Sequence, residues 1–301
     1  MRSRCLSAVM MLAATAHAET ASLPPKEAAL LDKLRARVEA VDRGLDGVLG
    51  FALKDLKTGA TFELRGNEVF PQASSIKVAV LYEMYRQADE GKVDLAELTR
   101  PPMPRVGGGG VLQLLGPDAR FTWRDLAILM MGWSDNEATN RLIDRVGLEA
   151  VNRRLDELGL HATRLRRRMM DLDAARRGDE NVSTPVEMRR LMEVVHAGTG
   201  LTPARAKDLL VVASVPKESP FREPLPETLT VADKPGSLEG VRCVSAAVEL
   251  PGRPYAVTIM TTYLRRDADG AAAIREISAA LFDTFDRLAR ASAYGRIISE
   301  R

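Results

Sequence analysis

Side chains that bind metals or form disulfides are scarce: 301 residues hold two cysteines and three histidines. Cys5 lies in an N-terminal segment that is read below as removable, which leaves Cys243 alone and excludes an intramolecular disulfide framework. Its valine-rich setting reads as a buried strand thiol. His161 and His196 are far apart, and neither an HExxH pattern nor a paired-cysteine spacing occurs, so no metal or other cofactor is expected. A Ser-His-Asp hydrolase built on a Gly-x-Ser-x-Gly elbow is excluded as well, because that elbow is missing. Charge of one sign is also absent: 43 Lys and Arg stand against 41 Asp and Glu, a net charge of +2, which gives no footprint for nucleic-acid binding.

Long apolar runs are confined to the start. Arg2 and Arg4 precede an apolar stretch from Cys5 to Ala16, too short to span a bilayer, and Ala16-His17-Ala18 has the small-x-small form of a signal-peptidase site. Residues 1–18 are therefore expected to be a cleaved signal peptide without a lipobox, giving a periplasmic or secreted protein with no membrane span.

From Pro24 to Val41 the apolar residues recur at helical spacing. Val48–Leu56 and Ala60–Leu64 read as a hairpin around Lys57-Thr58-Gly59. A helix is expected from Ser74 to about Glu90, then a Pro- and Gly-rich loop over 100–120. Helical patterns run from Trp123 to about Val212, interrupted by an Arg-rich stretch, Arg164–Asn181. Strands are expected over Thr228–Asp233, Arg242–Leu250 and Tyr255–Tyr263, with a turn at Gly236–Gly240, and a last helix over about Gly270–Ser292. The order implies an α+β fold: residues 19–301 form one domain in which segments 23–66 and 213–301 share a sheet, 67–212 forms a helical lobe, and a cleft between them holds the site.

Three short motifs follow one another: Ser74-Ser75-Ile76-Lys77, Ser134-Asp135-Asn136 and Lys234-Pro235-Gly236-Ser237. A Ser-x-x-Lys pattern arises by chance about once in a chain of this size, and Ser-Asp-Asn in roughly one of fifty such chains. Taken singly, Ser74 reads as a helix cap, Lys77 as a solvated lysine and Asp135 as another cap. Taken together they are expected to serve a hydrolase. Ser74 and Lys77 lie one helical turn apart on the same face, and a serine hydroxyl needs a nearby base, which lysine becomes when burial and neighbouring cations lower its pKa. Backbone N–H groups at the helix start would hold a developing oxyanion. Ser134 would relay a proton, Asn136 would bind a substrate amide and Lys234 a substrate carboxylate. Gly236 and Ser237 would line an exposed strand edge, with the Ser237 amide as second oxyanion donor. A literal Lys-Thr-Gly at Lys57–Gly59 precedes the serine motif and fits a hairpin turn.

With these motifs, Phe121-Thr122-Trp123-Arg124-Asp125-Leu126, Glu137-Ala138-Thr139-Asn140 and Ser183-Thr184-Pro185, the sequence resembles the class A β-lactamase and penicillin-binding protein superfamily over nearly the whole mature chain. The resemblance implies a helical lobe against an antiparallel sheet flanked by terminal helices, and a serine hydrolase acting on a small-molecule acyl donor through an acyl-Ser74 intermediate. Two departures stand out. The family's water-activating glutamate, counted back from Pro185, falls near Arg168, where no Glu-x-x-Leu-Asn occurs. Asp171 is the candidate deacylation base, with Asp173 and Glu180 as further acids. Pro235 replaces the usual Thr or Ser, and Ser237 or Arg242 would compensate for the lost hydroxyl. The reading is a β-lactam-opening hydrolase with impaired deacylation, expected to be a monomer. The alternatives are a D-Ala-D-Ala peptidase or esterase with the same machinery, and a non-catalytic binding protein on the same scaffold.

Overall fold

The computed structural model describes residues 23–100 and 105–298; residues 1–18, expected to be a signal peptide, lie outside them. Helix α1 (Pro25–Gly44) leads into β1 (Val48–Asp55) and β2 (Thr61–Leu64), then the short β3 (Phe70–Pro71). A 3-10 turn, Ala73–Ile76, opens α2 (Lys77–Asp89), and β4 (Leu98–Thr99) pairs with β5 (Phe121–Thr122). The helices α3 (Trp123–Gly132), α4 (Asn136–Val146), α5 (Leu148–Glu157) and α6 (Leu172–Arg176) follow, then β6 (Val182–Ser183), α7 (Pro185–Ala197) and α8 (Pro203–Ala213). The chain closes with β7 (Val231–Leu238), β8 (Val241–Val248), β9 (Tyr255–Thr262) and α9 (Asp267–Arg290).

The two ends of the chain meet in one antiparallel sheet of order β2-β1-β9-β8-β7. This is the α+β arrangement expected from the sequence. Phe51, Val257, Ile259 and Val244 pack with Leu34 and Val38 of α1 and with Ile277, Leu281 and Phe285 of α9 in one core cluster. Each such side chain contributes about 1.5–3 kcal/mol when fully buried. The other face is covered by α7, which also lends Met188 and Leu191 to the core of the helical part. The centre of that part is α2, along which only Arg86 and the terminal Asp89 escape burial. A helix enclosed on all sides must be apolar all round or have its polar groups partnered. Gln87 accordingly donates to Glu83 and to the Val146 carbonyl.

Two boundaries at the motifs differ from the sequence expectation. The α-helix begins at Lys77, and Ser74 sits in the preceding 3-10 turn, entered through Ala73 in a left-handed conformation (φ 46°). The strand expected to stop at Asp233 continues to Leu238, so the third motif lies within β7 and the turn is confined to Glu239–Gly240. Gly236 signals a turn by composition, but here it permits a close approach. A Cβ on it would stand 2.6 Å from Cys243 Sγ and 2.7 Å from the Gln72 carbonyl. Pro235 is accommodated because β7 is an edge strand, where a missing N–H costs no ladder bond. Among the described residues no helix is long and apolar enough to cross a membrane.

Candidate active site

The three motifs converge on one cleft of about 650 Å³, whose lining includes Ser74, Ser134, Asn136, Lys234, Gly236 and Ser237. Ser134 reaches it from the junction of α3 and α4 with a left-handed backbone (φ 51°), a conformation that non-glycine residues adopt at a cost. Asp135 fixes that junction from behind. Its carboxylate caps α4 at the Ala138 N–H (2.9 Å) and accepts from the Val111 and Leu112 N–H groups at 2.7 and 2.8 Å. Glycine at 110 is required beside it, since a Cβ there would stand 2.3 Å from the Asp135 carboxylate.

Ser134 Oγ donates to Ser74 Oγ at 2.8 Å. Lys77 Nζ donates to Ser134 Oγ (3.0 Å), to the Ser134 carbonyl (2.6 Å) and to Asn136 Oδ1 (3.0 Å). Ser74 is thus joined to the Lys77 amine through one intervening hydroxyl. Lys77 is fully buried, and its pKa lies well below the ordinary lysine value, chiefly through desolvation and next through the charge of Lys234, with Asp135 opposing. Lys234, also buried, donates to the Pro235 carbonyl (3.0 Å) and is lowered to about 7, first by burial and then by the charge of Lys217. The Asn136 amide is held by the Gly108 carbonyl (3.0 Å). Two buried amines that hold their protons less tightly than an ordinary lysine give the cleft proton-transfer capacity.

A second set of contacts, which no short-range pattern announces, fastens the turn bearing Ser74 to the sheet. Ser75 Oγ donates to the Lys234 carbonyl at 2.8 Å, and Cys243 Sγ donates to the Gln72 carbonyl at 3.0 Å. The Cys243 thiol is buried and pushed up to about 11 by desolvation, so it remains a thiol.

The chain as a whole is similar to proteins of known kind. A family model described as the beta-lactamase enzyme family matches residues 33–285. The chain belongs to the beta-lactamase enzyme family. Among similar proteins, beta-lactamase ROB-1 of Haemophilus influenzae is 27% identical over 270 residues, covering 84% of this chain and 85% of that one. An imipenem-hydrolyzing beta-lactamase of Enterobacter cloacae is 23% identical over 205 residues, 66% and 70% of the two chains. A solved beta-lactamase from Sphaerobacter thermophilus superposes with a TM-score of 0.76 at 28% identity, covering 84% of this chain and 96% of that one. A mutant of PBP-A, solved as its acyl-enzyme complex with penicillin G, has the same TM-score at 28% identity, with 85% and 97% covered.

This member of the beta-lactamase family departs from the sequence expectation along the 164–181 loop. Asp171 caps α6 by accepting from the Ala174 N–H (2.9 Å), is exposed, and is not among the residues lining the cleft. Arg168, where counting placed the missing glutamate, is exposed and pairs with Asp144. The loop instead presents Arg167, Met169, Met170, Leu172 and Asn181. Asn140 grips Met169 on both sides, accepting from its N–H (2.9 Å) and donating to its carbonyl (3.0 Å). Asn181 Oδ1 accepts from the Arg166 and Arg167 N–H groups at 2.7 and 3.0 Å. Carboxylates do line the cleft at Glu218 and Glu223, neither of them from this loop, and Glu223 is paired with Arg275.

Proposed function

We propose that this protein is an exported serine hydrolase that opens β-lactam amides through an acyl-Ser74 intermediate and releases that intermediate slowly. The observation that carries the reading is the hydrogen-bonded series from Ser74 Oγ through Ser134 Oγ to the buried Lys77 amine. As Ser74 Oγ attacks the lactam carbonyl carbon, its proton passes to Ser134 Oγ while the Ser134 proton passes to neutral Lys77. When the C–N bond breaks, the same path run backward delivers a proton to the leaving nitrogen. The Ser74 and Ser237 amides hold the oxyanion, Asn136 the donor's amide and Lys234 its carboxylate. Slow release follows from a loop that offers methionines, a leucine, an asparagine and a paired arginine where water would need a base.

Residues 1–18 act as a removed signal, and the mature chain works as a single domain, a monomer, in the periplasm or outside the cell. The sequence pattern of that segment supports its removal and the export of the chain.

The test is intact-mass spectrometry of the mature protein over time with benzylpenicillin, alongside detection of the opened product. A lasting adduct that disappears in Ser74→Ala is the expected result. A transient adduct with product shows rapid deacylation. No adduct and no product refutes the reading. Turnover of a D-Ala-D-Ala peptide or simple ester in that case supports a peptidase or esterase, which a loop that brings no carboxylate to the cleft lining also accommodates.

A further inference from the structure

A charged side chain outside the three motifs stands directly behind the third. Lys217, whose side chain is 2% exposed, follows α8 in the chain. Its Nζ donates to the Ala213 carbonyl at the end of α8 (2.7 Å), to the Asp233 carbonyl (2.9 Å) and to Asp233 Oδ1 (3.3 Å). Arg222 reaches the same Oδ1 at 2.8 Å and also binds the carbonyls of Ser214 and Val231. Asp233 is therefore shared by two cations one residue before Lys234, and its Oδ2 accepts no hydrogen bond.

A buried lysine beside an anion already claimed by others holds its proton weakly. After burial itself, the charge of Lys217 is the largest influence lowering Lys234, with Asp233 and Cys243 opposing. Lys217 is in turn lowered to about 8, mainly by burial. The other charged groups around Lys234 are Lys77 of α2 with its neighbour Asp135, Arg222, and Arg242 of β8, which is engaged by Asp267. Buried cations outnumber buried anions at this end of the cleft.

We infer that Lys217 is a positioning residue for Lys234: it locks the start of β7 to α8 and, as the second buried cation, makes the hold of Lys234 on an anionic donor fade as pH rises. The inference rests on Lys234 being the carboxylate-binding group of the proposed hydrolase.

The sign is that of a lowered lysine: Lys234 is charged below about 7 and loses its proton above it. Acylation rates are measured by intact mass from about pH 5 to 9 with benzylpenicillin and with its uncharged methyl ester, for wild type, Lys217→Met and Lys217→Arg. The wild-type rate with benzylpenicillin, relative to the ester, should fall as pH rises through about 7. Lys217→Met should move that fall upward by about one pH unit, a tenfold gain at the alkaline end, and Lys217→Arg should leave it in place. A direct reading that needs no donor is the titration of the Lys234 side chain by NMR in lysine-labelled protein, assigned with Lys234→Arg. An unmoved Lys234 midpoint in Lys217→Met overturns the inference, as does an equal shift in Lys217→Arg. A moved midpoint without acylation by any donor leaves the role of Lys217 standing and sinks the hydrolase reading. Should Lys217→Met fail to fold, Lys217→Gln, uncharged but with an amide that can still donate to the Ala213 and Asp233 carbonyls, is read the same way.

Discussion

Gly236→Ala tests how tightly the position of Ser74 depends on β7. The added methyl would lie 2.6 Å from Cys243 Sγ, 2.7 Å from the Gln72 carbonyl oxygen and 3.0 Å from Ala73 Cβ. Two of these neighbours belong to the turn that carries Ser74, and one is a backbone atom that no rotamer change can move aside. Either β7 retreats or the turn does, by several tenths of an ångström, and the Ser75–Lys234 and Cys243–Gln72 bonds lengthen with it. Overpacking of this kind costs about 1–3 kcal/mol. A chain of this size should then melt roughly 2–4 °C lower per kcal/mol. Misplacing a nucleophile by about 1 Å costs on the order of a hundredfold in rate. Acylation by benzylpenicillin should therefore slow by about ten- to a hundredfold in a protein that remains folded at the assay temperature. The measurements are thermal unfolding by circular dichroism and the rate of adduct formation by intact mass. A Gly236→Ala protein with both the wild-type melting temperature and the wild-type rate would show that this contact does not set the nucleophile's position.

Two further outcomes follow from the loop and from α7. Met169 is the cleft-lining loop residue whose backbone Asn140 holds on both sides, so Met169→Glu should bring a carboxylate to bear on an acyl-Ser74 ester. The adduct lifetime should shorten by about a hundredfold, the scale of general-base catalysis; an unchanged lifetime by mass spectrometry would place the carboxylate out of reach. His196 ends α7 against Glu249, and its pKa is raised by that hydrogen bond, with burial opposing. Its contribution to stability is full below the unfolded histidine value near 6.5 and is lost as pH rises through the higher folded value. The stability gap between wild type and His196→Gln, read from urea unfolding, should be largest near pH 6 and shrink toward pH 8. A gap that widened with pH would contradict the sign.

The sheet, its flanking helices and the convergence of the three motifs were legible in the sequence because each rests on a local period or a short residue pattern. Val48–Asp55 and Tyr255–Thr262 declare themselves as strands by β-branched and apolar content, and Ser74, Ser134 and Lys234 by their motif neighbours. The strand end at Leu238 was not legible, because Gly236 carries a turn signal whose actual cause is a neighbour far away in sequence. Lys217, Asn140 and Cys243 were hidden for the same reason. A lysine after a helix, an asparagine within one and a cysteine in a strand look ordinary until tertiary packing brings Asp233, Met169 and Gln72 against them. The loop acids show the converse: Asp171 looked available by composition, yet one of its oxygens caps a helix and it does not line the cleft.

Pro235 has a meaning apart from substrate contact. As the outermost strand, β7 offers a row of backbone donors and acceptors to any extended chain that drifts alongside, including another copy of this protein. A proline in mid-strand interrupts that row, so an added strand cannot complete its ladder across this position. The rim of the cleft can thus stay open to small molecules while discouraging the edge-to-edge association that would bury it.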